Sequence, residues 1–171
     1  MSDTAKTVSR VINVVVIIGI CVGAFILYQK IQSGKSKVEE IKRLEDFHSG
    51  GQWQDCLNEY EKLSAKYPEM KGQYDDKLSA CYQGIAQDKY TKSLSLSIAE
   101  KPKVAGDICA AFEKAAGIGK LSQLSIESYC DALMDAGNFD KAAQVIKDAE
   151  ARTDIDAGKL LVYKTRLQRK K

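Results

Sequence analysis

The chain has 171 residues, enough for one ordinary domain with an appendage, and 44% of them are hydrophobic and 29% charged. This composition is normal for a globular protein and excludes wholesale disorder. The 26 basic and 23 acidic residues leave a formal net charge of +3, which is too small to indicate nucleic acid as a partner.

The first predicted element is an uncharged run from Val11 to Tyr28, VINVVVIIGICVGAFILY, after a short tail over residues 1–10. A helix of this length rises just far enough to cross a bilayer core of roughly 30 Å. We therefore predict a transmembrane anchor over residues 11–31, with membrane lipid as its partner. A cleavable secretory signal is the alternative, but the letters FILY extend the apolar run beyond the small residues that cleavage would need.

Basic residues flank this predicted anchor unequally. Two precede it, and five follow it: Lys30, Lys35, Lys37, Lys42 and Arg43. Because positive flanks stay in the cytoplasm, the count predicts a single-pass membrane protein with a cytoplasmic-facing body. Short N-terminal tails often stay inside as well, so a periplasmic or lumenal body is the alternative.

The rest of the chain, after a linker over residues 32–36, divides into short amphipathic segments between Gly, Pro and Asp residues. The pattern predicts helices at 36–49, 52–66, 70–84, 87–100, 103–116, 121–136, 139–152 and 156–169. The letters SLSLSI, residues 93–98, alternate as a strand would, but they have no partner strand, so we assign them to a helix. The predicted fold is all-α, built of short helices in hairpins.

Two stretches of the chain share one order of residues: glycine, an aromatic ring, a small residue and a large side chain. The first is Gly51, Trp53, Cys56, Tyr60 and a closing Pro68, and the second is Gly137, Phe139, Ala142 and Ile146. Pro68 and Pro102 are 34 residues apart. This order and this period resemble the tetratricopeptide repeat family. The resemblance implies a solenoid of helical hairpins over residues 37–154, about three repeats with one irregular, and then a capping helix and basic tail over 155–171.

The resemblance also implies a role for each of these residues. The glycine closes the first helix of a pair, the aromatic ring fills the space between the two helices, and the small residue allows their close approach. Tyr60 would reach the next hairpin. Pro68 and Pro102 would each end the second helix of a pair.

In this family the first helices of the pairs line a concave surface that binds other proteins. The corresponding positions here are Glu45, His48, Asp75, Ser79, Tyr82, Glu127, Asp131 and Met134. They are largely acidic or apolar, so the Lys and Asn clamp of chaperone-binding members is not expected. Acidic groups beside Tyr82 and Met134 instead suit a basic or amphipathic segment of a protein partner.

Reactive groups form no recognisable catalytic pattern. His48 is the one histidine of the chain, and Cys56, Cys81, Cys109 and Cys130 stand too far apart for a metal-binding motif. Buried reduced thiols suit a cytosolic compartment, although an even number leaves two disulfides open. We predict no catalytic residue, no cofactor, no metal and no small-molecule substrate.

The sequence therefore predicts a membrane-anchored adaptor that binds other proteins. The family resemblance implies a part in assembly, biogenesis or quality control of a membrane complex. A structural accessory subunit of such a complex is the alternative, and a redox or metal-linked enzyme using the cysteines is a weaker one.

Overall fold

The computed structural model describes residues 3–169, and for residues 3–19, 21 and 33 it describes the backbone alone. The chain divides into two compact units, residues 1–43 and 44–171. The helices are α1 (Asp3–Ser49), α2 (Trp53–Lys66), α3 (Asp75–Ser93), α4 (Lys101–Ile118), α5 (Gln123–Asp135), α6 (Phe139–Glu150) and α7 (Ala157–Gln168), with a 3₁₀ turn at Pro68–Met70. Residues 3–169 contain no strand, so the all-α prediction is confirmed for them.

Helix α1 runs without a break through the predicted linker at 32–36. Gly34 alone costs a helix roughly 1 kcal/mol relative to alanine, which is too little to end it where no proline follows. The Ser36 hydroxyl donates to the Glu40 carboxylate at 2.8 Å, one turn further on. The linker prediction therefore does not correspond to a break in the helix.

The prediction of a single-pass membrane protein is wrong. Within the part of the chain whose side chains are described, no helix is long and apolar enough to cross a bilayer. The side chains of 11–19 in the predicted anchor lie outside the described residues. The predicted lipid contact and the sidedness of the body, which presupposed that anchor, are withdrawn with it.

Two tight turns reverse the chain in the second unit, and both are built around a glycine with positive φ. Gly51 has a φ of +68° and Gly137 a φ of +76°, a region that residues with a Cβ rarely adopt. After Gly51, the Gln52 amide donates to the Phe47 carbonyl at 2.9 Å, and after Gly137 the Asn138 amide makes the matching bond at 2.8 Å. Each glycine thus ends one helix and starts the next within three residues.

The aromatic ring that follows the first of these turns lies against α3. The indole of Trp53 is half-buried and covers Gly84, so closely that a Cβ placed on Gly84 would clash with the ring. The imidazole of His48 meets the same indole edge-on, with ring centroids 5.9 Å apart. The last turn of α1, the start of α2 and the middle of α3 are therefore packed around one ring.

The middle of the chain departs from the predicted helices. Helix α3 spans the predicted gap near residue 86, and the following residues 94–100 form turns where a helix was expected. Glu100 accepts from the Ser97 amide at 3.0 Å and from the Ser97 hydroxyl at 2.6 Å. These bonds fix the turn before α4. Pro102 lies in the first turn of α4, where its missing N–H costs nothing, so it begins a helix and does not end one.

Consecutive helices pack against each other from α2 to α7, and α5 also contacts α3 and α7. The largest fully buried side chains near α5 come from α4, α5, α6 and α7: Phe112, Leu133, Ile146 and Leu160. Helices α3, α5 and α7 are therefore neighbours along one face of the second unit. We call this the α3–α5–α7 face.

The Trp53–Gly84 contact yields a stability test. Gly84→Ala should destabilise the protein, because displacing a packed ring costs about 2 kcal/mol, more than the roughly 1 kcal/mol that alanine gains over glycine in a helix. The matched control is Gly106→Ala in α4, where an added Cβ meets nothing within 4 Å. The control should raise the urea midpoint of unfolding while Gly84→Ala lowers it. Midpoints that move together would contradict the packing described above.

Candidate functional site

The predicted groove residues do not form one continuous surface. Glu45 is engaged by Lys77 of α3, with Nζ and Oε1 2.8 Å apart, and this hydrogen bond and the lysine charge lower the pKa of Glu45. Ser79 is buried, and its hydroxyl donates to the Ala115 carbonyl at 3.0 Å. His48 packs against Trp53 as described above. These side chains hold helices together in the structure.

Asp75 and Tyr82 both belong to α3. Asp75 is half-buried in the first turn of α3. Tyr82 faces a cavity of about 340 Å³ between α2, α3 and α4, where the ammonium of Lys114 lies 5.9 Å from its ring. Carboxylates and lysines are mixed around this cavity, so it presents no single sign of charge.

The α5 positions do come together with α3 and α7. Asp131 is the centre of this arrangement, with a side chain 25% exposed. Its Oδ2 accepts from the Tyr90 hydroxyl of α3 at 2.8 Å, and its Oδ1 lies 2.8 Å from a guanidinium nitrogen of Arg166 in α7. The guanidinium carbon of Arg166 lies 5.6 Å from the Tyr163 ring centroid. We call Tyr90, Asp131, Tyr163 and Arg166 the Asp131 cluster.

An open cavity of about 330 Å³ adjoins the cluster. It is lined by Asp131, Met134, Asp135, Arg166 and Arg169. Glu127, one turn before Asp131, is half-buried and accepts from the Gln123 amide at 2.6 Å. Of the predicted groove residues, Asp131 and Met134 therefore line one surface, with Glu127 on the same helix.

Burial and the Asp131 carboxylate both act on the tyrosines of the cluster. Burial, the hydrogen bond to Asp131 and the charge of that carboxylate raise the pKa of Tyr90 above its ordinary value. Burial and the same charge raise the pKa of Tyr163 to about 12. Both hydroxyls therefore stay protonated even above pH 10, so Tyr90 remains a donor that fixes the carboxylate.

Two glutamines anchor the loops that border the face. The Gln83 side chain accepts from the Ser122 amide at 2.8 Å and donates to the Lys120 carbonyl at 3.1 Å. The side-chain oxygen of Gln123 accepts from the Asp156 backbone amide at 2.9 Å, in the loop before α7. These bonds fix the starts of α5 and α7, and hence the relative positions of Asp131 and Arg166.

The cysteines are placed for packing. All four of the second unit are buried and free. Burial raises the pKa of Cys109 to about 11 and that of Cys130 to about 12, and it raises the pKa of Cys81 with a contribution from the Cys56 thiol. Thiols held protonated are poor nucleophiles. Among the described residues, no group of His, Cys, Asp or Glu side chains could hold a metal ion.

Sequence reasoning missed three of the four cluster residues. Tyr90 lies in the predicted helix at 87–100, and Tyr163 and Arg166 lie in the predicted capping helix and basic tail, but none of the three has a predicted role in binding. The available signal was their spacing: a Tyr and an Arg three residues apart lie on one side of a helix. That spacing does not indicate which carboxylate they meet.

No protein-family model, curated protein or solved structure matches the chain significantly.

Alkaline titration tests the cluster. Among the eight tyrosines, Tyr90, Tyr163 and the buried Tyr129 of the core should ionise above pH 10 in the folded protein, whereas in denaturant all should follow the model-peptide pKa of about 10. Phenolate absorbance measures this, and Tyr90→Phe and Tyr163→Phe should each reduce the high-pH amplitude.

The same shift predicts how stability depends on pH. Because the folded pKa lies above the unfolded one, the contribution of Tyr163 is complete below pH about 10 and is lost as the pH rises towards about 12. Full phenolate amplitude near pH 10 in the folded protein would show that these hydroxyls are not shielded as described.

Proposed function

We propose that this protein is an adaptor built of helical hairpins similar to tetratricopeptide repeats, and that it binds a basic or amphipathic segment of another protein on the α3–α5–α7 face. The matching glycine turns at Gly51 and Gly137 support the repeat assignment, because both join two helices through the same hydrogen-bond pattern. The proposed setting is assembly, biogenesis or quality control of a multiprotein complex.

The observation that carries the proposal is the position of the Asp131 carboxylate. It stands at the edge of an open cavity, partly exposed and oriented by a tyrosine hydroxyl that stays protonated. A carboxylate that is partly desolvated and held in place attracts a cation more strongly than a mobile surface one.

An apolar neighbour extends this site beyond a single charge. Met134 lies one turn from Asp131 and lines the same cavity. Its flexible thioether can adapt to different apolar side chains. A segment that alternates cationic and apolar side chains would therefore meet Asp131, Asp135 and Met134 here, beside the chain's own Arg166 and Arg169.

A synthetic peptide of alternating Arg and Leu residues, with a fluorescent label, tests the proposal on the full chain. Anisotropy should report saturable binding, and a peptide with Glu in place of Arg should not bind. Asp131→Asn should weaken binding roughly ten- to hundredfold, the magnitude of one charge-assisted hydrogen bond. Circular dichroism would verify that this variant remains folded.

Asp140→Asn is the matched control for that experiment. Asp140 is an exposed carboxylate of α6, a helix outside the α3–α5–α7 face, so its loss changes the net charge equally without touching the site. Its affinity should equal that of the wild type. If both substitutions weakened binding equally, the interaction would depend on net charge alone, which would contradict a defined site. Binding of the acidic peptide would contradict it as well.

A further inference from the structure

Arg166 occupies the position at which a cation of the partner would bind. Its guanidinium nitrogen is 2.8 Å from Asp131 Oδ1, while Tyr90 holds the other carboxylate oxygen. We infer that Arg166 is an intramolecular substitute for an arginine of the partner, and that α7 must release Asp131 before the partner binds. This inference rests on the proposed function and adds to it both a ligand side chain and an autoinhibitory contact.

The surroundings of the guanidinium favour arginine over lysine. Arg166 has a carboxylate on one side and the Tyr163 ring 5.6 Å from its guanidinium carbon. A planar, weakly hydrated guanidinium can contact a ring and a carboxylate together, whereas a compact ammonium is strongly hydrated. The partner side chain that replaces Arg166 is therefore an arginine.

The way α7 is held permits such an exchange. The side chain of Arg166 is 56% exposed, and exposed ion pairs contribute little to stability. Beside α7 lies a cavity of about 380 Å³, lined by Phe139, Ala143, Ile146, Lys147 and Glu150 of α6 and by Lys164, Leu167 and Gln168 of α7. Space left between two helices means fewer contacts to break when one moves.

Other contacts keep α7 attached once Arg166 is displaced. Leu160 is fully buried in the core, and Lys164 pairs with Glu150 of α6 at 2.5 Å. Loss of the Arg166 contact thus loosens the C-terminal part of α7, while the buried Leu160 and Leu167 side chains keep the helix attached. The arrangement acts as a threshold: a partner binds only if its arginine competes with the one in the same chain.

The experiment compares Arg166→Gln with Lys159→Gln in the full chain, using the labelled Arg–Leu peptide. Both variants remove one positive charge from α7, but Lys159 is an exposed residue for which the structure gives no ion pair. Arg166→Gln should bind roughly three- to fivefold more tightly than the wild type, since the competing pair is gone. Lys159→Gln should bind as the wild type does, and a Lys–Leu peptide should bind every variant more weakly.

Amide hydrogen exchange gives a second readout, which needs no peptide. Arg166→Gln should speed exchange of the amides near the C-terminal end of α7, and Lys159→Gln should leave them unchanged. Addition of the Arg–Leu peptide to the wild type should speed the same amides.

The outcomes separate this inference from the proposed function. Peptide binding that requires Asp131 but is unchanged by Arg166→Gln would overturn the inference and leave the proposed function standing. Slower exchange of α7 on peptide addition would also overturn it. If neither the wild type nor Arg166→Gln binds the peptide, both the function and the inference fail.

Discussion

The second unit depends on the burial of α5, against which α3, α4, α6 and α7 all pack. Such a helix can expose only a narrow strip of its surface to solvent. Its buried positions include the small residues Ser125, Ser128, Cys130 and Ala132. Small side chains let four neighbours approach one axis. None of the short helices could bury its apolar side alone, so each is stable only through its neighbours. A polar group on the remaining strip of α5 is consequently held by the whole unit.

Asp131 is such a group, and the rigidity of its surroundings explains why it can matter for binding. A carboxylate on a mobile surface helix would be solvated freely and would orient at random. Here Gln83 and Gln123 fix the loops before α5 and α7, and Tyr90 fixes one carboxylate oxygen. The energetic cost of ordering the acid is therefore met when the protein folds, before any partner arrives.

The sequence predicted the glycine turns because their chemistry is local. A glycine that ends one amphipathic segment and is followed by an aromatic ring specifies a left-handed residue, and both Gly51 and Gly137 adopt one. The predicted helices in the middle of the chain were wrong because one residue type can fit two different local structures. Pro102 is equally suited to follow a helix and to start one, and the bonds between Ser97 and Glu100 decide the matter. Likewise, a lone Gly34 did not interrupt α1, whatever its propensity suggested.

The site could be predicted only in part, for a reason of distance along the chain. Acidic and apolar residues at Asp131 and Met134 follow from the helical register of α5. Their partners do not, because Tyr90 is 41 residues before Asp131 and Arg166 is 35 residues after it. Side chains so far apart meet only through the order in which the helices stack, and no alternation or spacing records that order.

The pairing of Asp131 with Arg166, which the sequence did not predict, also affects function. From the sequence alone, Asp131 is predicted to be an acidic side chain available to bind a cation of a partner. In the structure it is an acid that already has one, from the basic C-terminal helix of its own chain. An attraction between two parts of one chain operates at a high effective concentration, so an outside cation must offer more than charge to compete. That additional contribution can come from the apolar side of Met134 and from the adjoining cavity. A short cationic segment without apolar side chains would therefore lose to Arg166, and selectivity for amphipathic partners follows from the intramolecular pair itself.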